Sequence, residues 1–317
     1  MKLLPILKLV RLSALPSALA DVCGGVALAV SLGLGGRAPD KLGWLLLATV
    51  GIYLGGMALN DVLHASKDKL LGKPRPIARG DLTLRVAVAI TLALYAAGLV
   101  GAWLAGCLVA ATALAALTFL YNWLARGRHD GTKVVLPWPM AGAGVAVIAA
   151  CRGLHVLLPV IALKPPGRGL GDTIAPLFAG CVFAYFALVT VVSLFEDSGG
   201  GRRALRLVSL LLLPVVLALP LWVMLRPGAP ESTVLGTLSP LLIGAGLLLL
   251  LWRALDAARA NPIPPKLGAV VGTGIRGECL LMASFALALA PHQPWWGLCA
   301  MACYPLARLL ARWISPT

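Results

Sequence analysis

The chain has 317 residues, of which 60% are hydrophobic and 12% charged, with a formal net charge of +15. So few charges cannot cover a soluble domain of this length, and the apolar residues run in long blocks, so lipid is the expected solvent. The positive charge does not point to nucleic acid, because the bases sit in short loops between apolar blocks without interleaved aromatics.

The N-terminus opens with Lys2, Lys8 and Arg11 ahead of apolar residues, and Ala18-Leu19-Ala20 resembles a signal-peptidase site. Pro16 and Lys8 interrupt the would-be hydrophobic region, and the apolar run continues past Asp21 to Leu34, so a first membrane helix is expected instead. Spans follow near 14–34, 43–64, 84–104, 107–124, 136–160, 174–195, 206–225, 236–256 and 269–290. A further helix is expected at 295–313. The fold class is therefore an all-α, polytopic transmembrane bundle of nine core spans plus an extra C-terminal helix, with residues 1–317 as one integral-membrane domain. If the spans alternate, 21 Lys and Arg residues fall on the side of the N-terminus and 5 on the other. That asymmetry predicts a cytoplasmic N-terminus and, in a bacterium, the cytoplasmic membrane. The seven cysteines lie almost entirely within apolar blocks and form no C-x-x-C pair, so they are expected as small packing residues rather than disulfides or zinc ligands.

Chemistry is concentrated at the end of the second span. Asn60, Asp61, His64 and Asp68 recur at helical spacing and share one face, followed by Lys67, Lys69, Lys73, Arg75 and Arg79. Carboxylates beside a basic cluster suit a Mg²⁺-bridged diphosphate, the acids holding the hard cation and the bases meeting phosphate oxygens. The bland alternative is a solvated helix end followed by a topology-determining basic loop.

The order Asn60-Asp61, Asp68, then Arg75-Pro76-Ile77-x-x-Gly80 resembles the N-D-x-x-D-x-x-x-D and R-P-hydrophobic-x-x-G motifs of UbiA-superfamily prenyltransferases. His64 stands where the middle Asp of that motif belongs. The resemblance covers essentially the whole chain and implies a nine-helix fold. Its second acidic motif, D-x-x-x-D, falls on Ser193 to Asp197, with Ser193 replacing the first Asp and Glu196 as an alternative ligand. Cys151-Arg152-Gly153-Leu154-His155-Val156-Leu157-Leu158 is similar to the C-R-G-L-N-x-L-L segment of EboC-type UbiA homologues, and Ser315-Pro316-Thr317 is similar to the end of that group.

The resemblance implies Mg²⁺ as cofactor, held by Asp61, Asp68 and Glu196 or Asp197, and an isoprenoid diphosphate with a small aromatic acceptor as partners. Asn60 and His64 complete the catalytic set. Lys67, Arg75, Arg79, Arg126, Lys133 and Arg152 are the expected substrate-binding bases. Arg152, inside a span, requires a cavity or a carboxylate nearby. Asp21 is expected to face the cavity, with capping or pairing with Arg152 as the alternatives, and Glu278 has no assigned role. His64 is a poor Mg²⁺ ligand and is expected either to hydrogen-bond diphosphate or to carry a proton. The alternative to an enzyme is a UbiA-fold carrier of an isoprenoid or aromatic metabolite.

Overall fold

The computed structural model describes residues 3–125, 128–129, 134–135, 138–165, 174–196, 199–225 and 234–314. A short helix α1 (Leu3–Leu9) leads through a single 3-10 turn into α2 (Leu15–Ser31). Next come α3 (Ala38–Leu63), α4 (Ala65–Leu70), α5 (Leu84–Ala105) and α6 (Leu108–Leu124), then the two-residue strands β1 (Arg128–His129) and β2 (Val134–Val135). The rest is α7 (Trp138–His155), α8 (Leu158–Leu163), α9 (Ile174–Ser193), α10 (Arg202–Leu225), α11 (Val234–Ala260), α12 (Pro264–Leu289) and α13 (Trp295–Trp313). The protein is an integral, multi-pass, helical membrane protein.

Every expected span is helical. Among the described residues, eight stretches are long and apolar enough to cross a membrane, α7 and α8 forming one of them over Pro139–Leu163. The expected fourth span, α6, is a shorter apolar helix of 17 residues. The C-terminal helix α13 is not among the eight.

Glycine lets α3 and α5 meet backbone to backbone. A methyl on Gly51 would run into the backbone of Gly98 and the carbonyl of Leu94, and one on Gly101 would sit 2.8 Å from the Ala48 nitrogen. Without a hydrophobic drive between lipid-solvated helices, such close approach is what holds them together. Thr83 caps the start of α5 by accepting from the Val86 amide, and Gly106, at φ 83°, ends it in the left-handed conformation that glycine adopts without strain.

The second irregularity lies inside the bundle. Pro159, in the first turn of α8, has no amide hydrogen to give the His155 carbonyl four residues back and its ring crowds that carbonyl, so α7 stops at His155. Arg152 and His155 therefore occupy the last turn of α7, where the helix dipole favours cations.

Candidate functional site

The end of α3 carries the polar face. The helix does not continue unbroken through the motif: it pauses at His64 (φ −100°, ψ 4°) and resumes as α4. Backbone bonds from the His64 amide to the Asn60 carbonyl (3.0 Å) and from the Asp68 amide to the His64 carbonyl (2.8 Å) preserve helical register across the pause. Asp61 and Asp68 thus still meet one group, the Arg75 guanidinium. Arg75 Nη1 pairs closely with Asp61 Oδ1 and donates to Asn60 Oδ1 at 3.0 Å, while its Nε lies 3.3 Å from Asp68 Oδ2. Both carboxylates are 2% exposed.

A second arginine closes the other side. Arg11 Nη2 donates to Asn60 Oδ1 at 3.0 Å and to Asp61 Oδ1 at 3.3 Å. Its backbone, at φ 47° and ψ 52°, is left-handed, and Arg11 is the one non-glycine residue among those described with positive φ. Burial, then the like charge of Arg75, lowers the Arg11 pKa below its ordinary value, while Asp61 opposes both. Sequence reasoning counted Arg11 only as a topology charge. No spacing rule links it to Asp61.

Asn122, near the end of α6, completes the cluster. Asn60 Nδ2 donates to Asn122 Oδ1 at 2.7 Å, and Asn122 Nδ2 donates to the Thr118 carbonyl at 2.9 Å. His64 is buried, with Nε2 donating to the Asn122 carbonyl at 3.0 Å, which selects the Nε2-protonated tautomer. Burial pushes its pKa down, the Asn122 bond resists that, and Lys67 pushes it down further. The ring therefore ties α3 to α6 as a neutral group. Lys67 donates to the Ala125 carbonyl at 3.4 Å.

Other expected residues lie elsewhere. Arg79 is largely exposed and paired with Asp81 at 3.6 Å. Glu196 is half-buried, its Oε1 placed where a methyl on Gly268 would approach to 3.0 Å. Half-buried Tyr121 is within electrostatic reach of Arg11, Arg75 and Glu196. Ser193 spends its hydroxyl on the Thr190 carbonyl of its own helix at 2.8 Å. Arg126, Lys133 and Asp197 lie outside the described residues.

Arg152 does not join this group. It sits deeper, bound by two carboxylates: Nε donates to Glu278 Oε1 at 3.2 Å, Nη2 pairs closely with Glu278 Oε2, and Nη2 lies 3.2 Å from Asp21 Oδ2. His155 Nδ1 lies 2.7 Å from Asp21 Oδ2, and its Nε2 is 3.2 Å from Thr49 Oγ1. The guanidinium is also 4.4 Å from the Phe186 ring centroid and 5.4 Å from that of Tyr53. Asp21 and Glu278 are 0% exposed and Arg152 6%. An intramembrane arginine demands such partners. A reading that paired the intramembrane acids with Arg152 would have found Glu278.

A divalent cation fits the first cluster. Among the described residues no three His, Cys, Asp or Glu side chains converge as a metal site. Mg²⁺, however, commonly takes one or two carboxylates and draws its other ligands from phosphate and water. Asp61 and Asp68 converge on one positive group, Arg75, so the two carboxylates that would hold the cation are already brought together.

No family model matches the chain, and no curated protein matches it. Solved structures do. A digeranylgeranylglyceryl phosphate synthase of membranes superposes with a TM-score of 0.59 at 16% identity, covering 90% of this chain and 98% of that one. A UbiA homologue from Archaeoglobus fulgidus, solved bound to DMAPP and Mg²⁺, gives 0.54 at 16% identity, covering 90% of this chain and 99% of that one. The bundle has the UbiA-type fold.

Proposed function

We propose that this chain is a UbiA-type membrane prenyltransferase, moving a prenyl group from an isoprenoid diphosphate to a small aromatic acceptor. The observation that carries the reading is the convergence of Asp61 and Asp68 on Arg75, with Arg11 and Asn60 completing a compact anion-and-cation site. The UbiA-type fold and the bound DMAPP and Mg²⁺ of the archaeal homologue support it.

Mg²⁺, when bound, would supply positive charge to the departing pyrophosphate, held by Asp61 and Asp68 with Glu196 or Asp197 as further ligands. Arg11 and Arg75 turn from the carboxylates to phosphate oxygens, offering charge-assisted donors that strengthen as the leaving group gains charge. Lys67, Arg79, Arg126 and Lys133 are the further substrate-binding bases of this reading and add to the attractive field. The donor's C1–O bond breaks with its electron pair leaving on pyrophosphate. The acceptor's nucleophilic carbon bonds to C1 and then loses a proton. Asn60 orients Arg11 and Arg75 through its shared Oδ1, and His64 holds Asn122, which in turn holds Asn60. The charge asymmetry of the loops supports a cytoplasmic site.

A carrier is the second reading. It is favoured by the double ion pairing of Asp61 and by the replacement of acids at His64 and Ser193. Measuring Mg²⁺-dependent pyrophosphate release from purified protein, with a panel of prenyl diphosphates and aromatic acceptors, separates the two. Release that requires both Mg²⁺ and acceptor supports the enzyme. Saturable binding without release across the panel supports the carrier.

A further inference from the structure

The charged cluster around Arg152 closes the interior of the bundle part-way down. Five helices contribute to it: Ser17 and Asp21 from α2, Thr49 and Tyr53 from α3, Arg152 and His155 from α7, Phe186 from α9 and Glu278 from α12. The Arg152 guanidinium lies over the rings of both Tyr53 and Phe186, and the three form a stack inside the bundle. The stack is held from the sides by ion pairs, and its charged members are nearly or wholly buried.

Its depth follows from helix geometry. Tyr53 and Asp61 share α3 and are eight residues apart, about 12 Å along the axis. Between them, Tyr53, Met57 and Asn60 recur on one face of α3 and are all half-buried. Beyond the stack the interior is solid. A methyl on Gly24 would come within 2.7 Å of Met282 Sδ, and one on Gly25 would strike the Val156 carbonyl. Phe178 and Phe285, both 0% exposed, pack with ring centroids 5.7 Å apart. Close packing of this kind among the described residues obstructs an alkyl chain beyond the stack.

We infer that the stack is the floor of the prenyl-tail chamber and restricts the donor to a short allylic diphosphate of five or ten carbons. The inference rests on the prenyl-diphosphate reading above. An extended isoprene unit spans about 5 Å, four backbone bonds of about 1.5 Å at near-tetrahedral angles. Two units fill the distance from Asp61 to Tyr53. A third meets the rings, and behind them a set of buried charges whose partners it would have to displace at high cost.

The test is Mg²⁺-dependent binding to the intact protein in nanodiscs, with inorganic pyrophosphate and dimethylallyl, geranyl, farnesyl and geranylgeranyl diphosphates as probes. Affinity should rise to geranyl and then fall by about tenfold or more for the longer two, the order expected of a closed apolar pocket. Affinity that keeps rising to geranylgeranyl, or is flat beyond geranyl, overturns the floor while leaving the diphosphate site intact. Failure of every probe, pyrophosphate included, defeats the prenyl-diphosphate reading and this inference with it. Tyr53→Ala removes the upper ring without touching an ion pair, and it should move the preference to farnesyl. An unchanged profile in a folded Tyr53→Ala protein overturns the assignment, and if that variant does not fold, the wild-type profile decides.

Discussion

Arg11 reaches across 50 positions of sequence to place its guanidinium 3.3 Å from the Asp61 carboxylate, and it does so from a left-handed backbone. An arginine pays about 1 kcal/mol or more for that conformation, whereas glycine adopts it freely. Arg11→Gly and Arg11→Ala both delete the guanidinium and differ in the backbone alone. The glycine variant should therefore be the more stable by about 1 kcal/mol, while both lose pyrophosphate release by about 100-fold. Thermal melts in detergent beside a release assay check both halves. Equal stability of the two variants would argue that the turn relaxes.

Asp61 and Asp68 should each be indispensable to Mg²⁺-dependent diphosphate binding. Asp61→Asn and Asp68→Asn preserve shape and leave Arg75 with one carboxylate, so folding should survive and Mg²⁺-dependent affinity should fall by about tenfold or more. Titration calorimetry with and without Mg²⁺ reads this directly. Wild-type binding in both variants would remove the metal assignment.

His64 gives a pH signature. Its folded pKa is lowered from 6.5, so the unfolded chain binds the proton more readily. Stability from this group is complete above the unfolded value of 6.5 and is lost as pH falls through the lower, folded one. His64→Gln can keep a donor toward the Asn122 carbonyl and should flatten the melting profile between about pH 5 and about pH 7. His64→Asp puts an acceptor against that carbonyl, so it should cost about 2 kcal/mol rather than improve the metal site. A stability gain in the Asp variant would mean the side chain turns toward Asp61 and Asp68.

The Arg152 cluster should show strong non-additivity. Arg152→Met leaves Glu278 and Asp21 as uncompensated buried carboxylates, a loss of about 3 to 5 kcal/mol. Adding Glu278→Leu removes one of those charges, so the double variant should be more stable than Arg152→Met alone. Unfolding titrations of the four-member cycle give the coupling energy. Simple additivity would show that the ion pair is not maintained in the membrane.

Topology has its own check. Ser66 is exposed on α4, beside the acidic face. With Ser66→Cys, an impermeant maleimide should label opened membranes and not intact cells, with the parent protein as the background for exposed Cys299. Efficient labelling of intact cells would reverse the orientation.

The spans and the acidic face were readable directly from the residues because both are local properties. Hydropathy over about 20 residues decides whether a segment enters lipid, and spacing decides which side chains share a face. Even the pause at His64 did not separate Asp61 from Asp68, since the register carried through. The partners of those groups were not local. Arg11 meets Asp61 from 50 residues away, and Arg152 finds Glu278 from 126 residues away. Which helices become neighbours, and which face each turns inward, depends on packing among many apolar surfaces that are nearly alike in composition. Arg152 was expected as a substrate-binding base with a cavity or a carboxylate nearby. Its depth was settled by the break in α7 and by the close approach of α2 and α12, which brought Asp21 and Glu278 to it first.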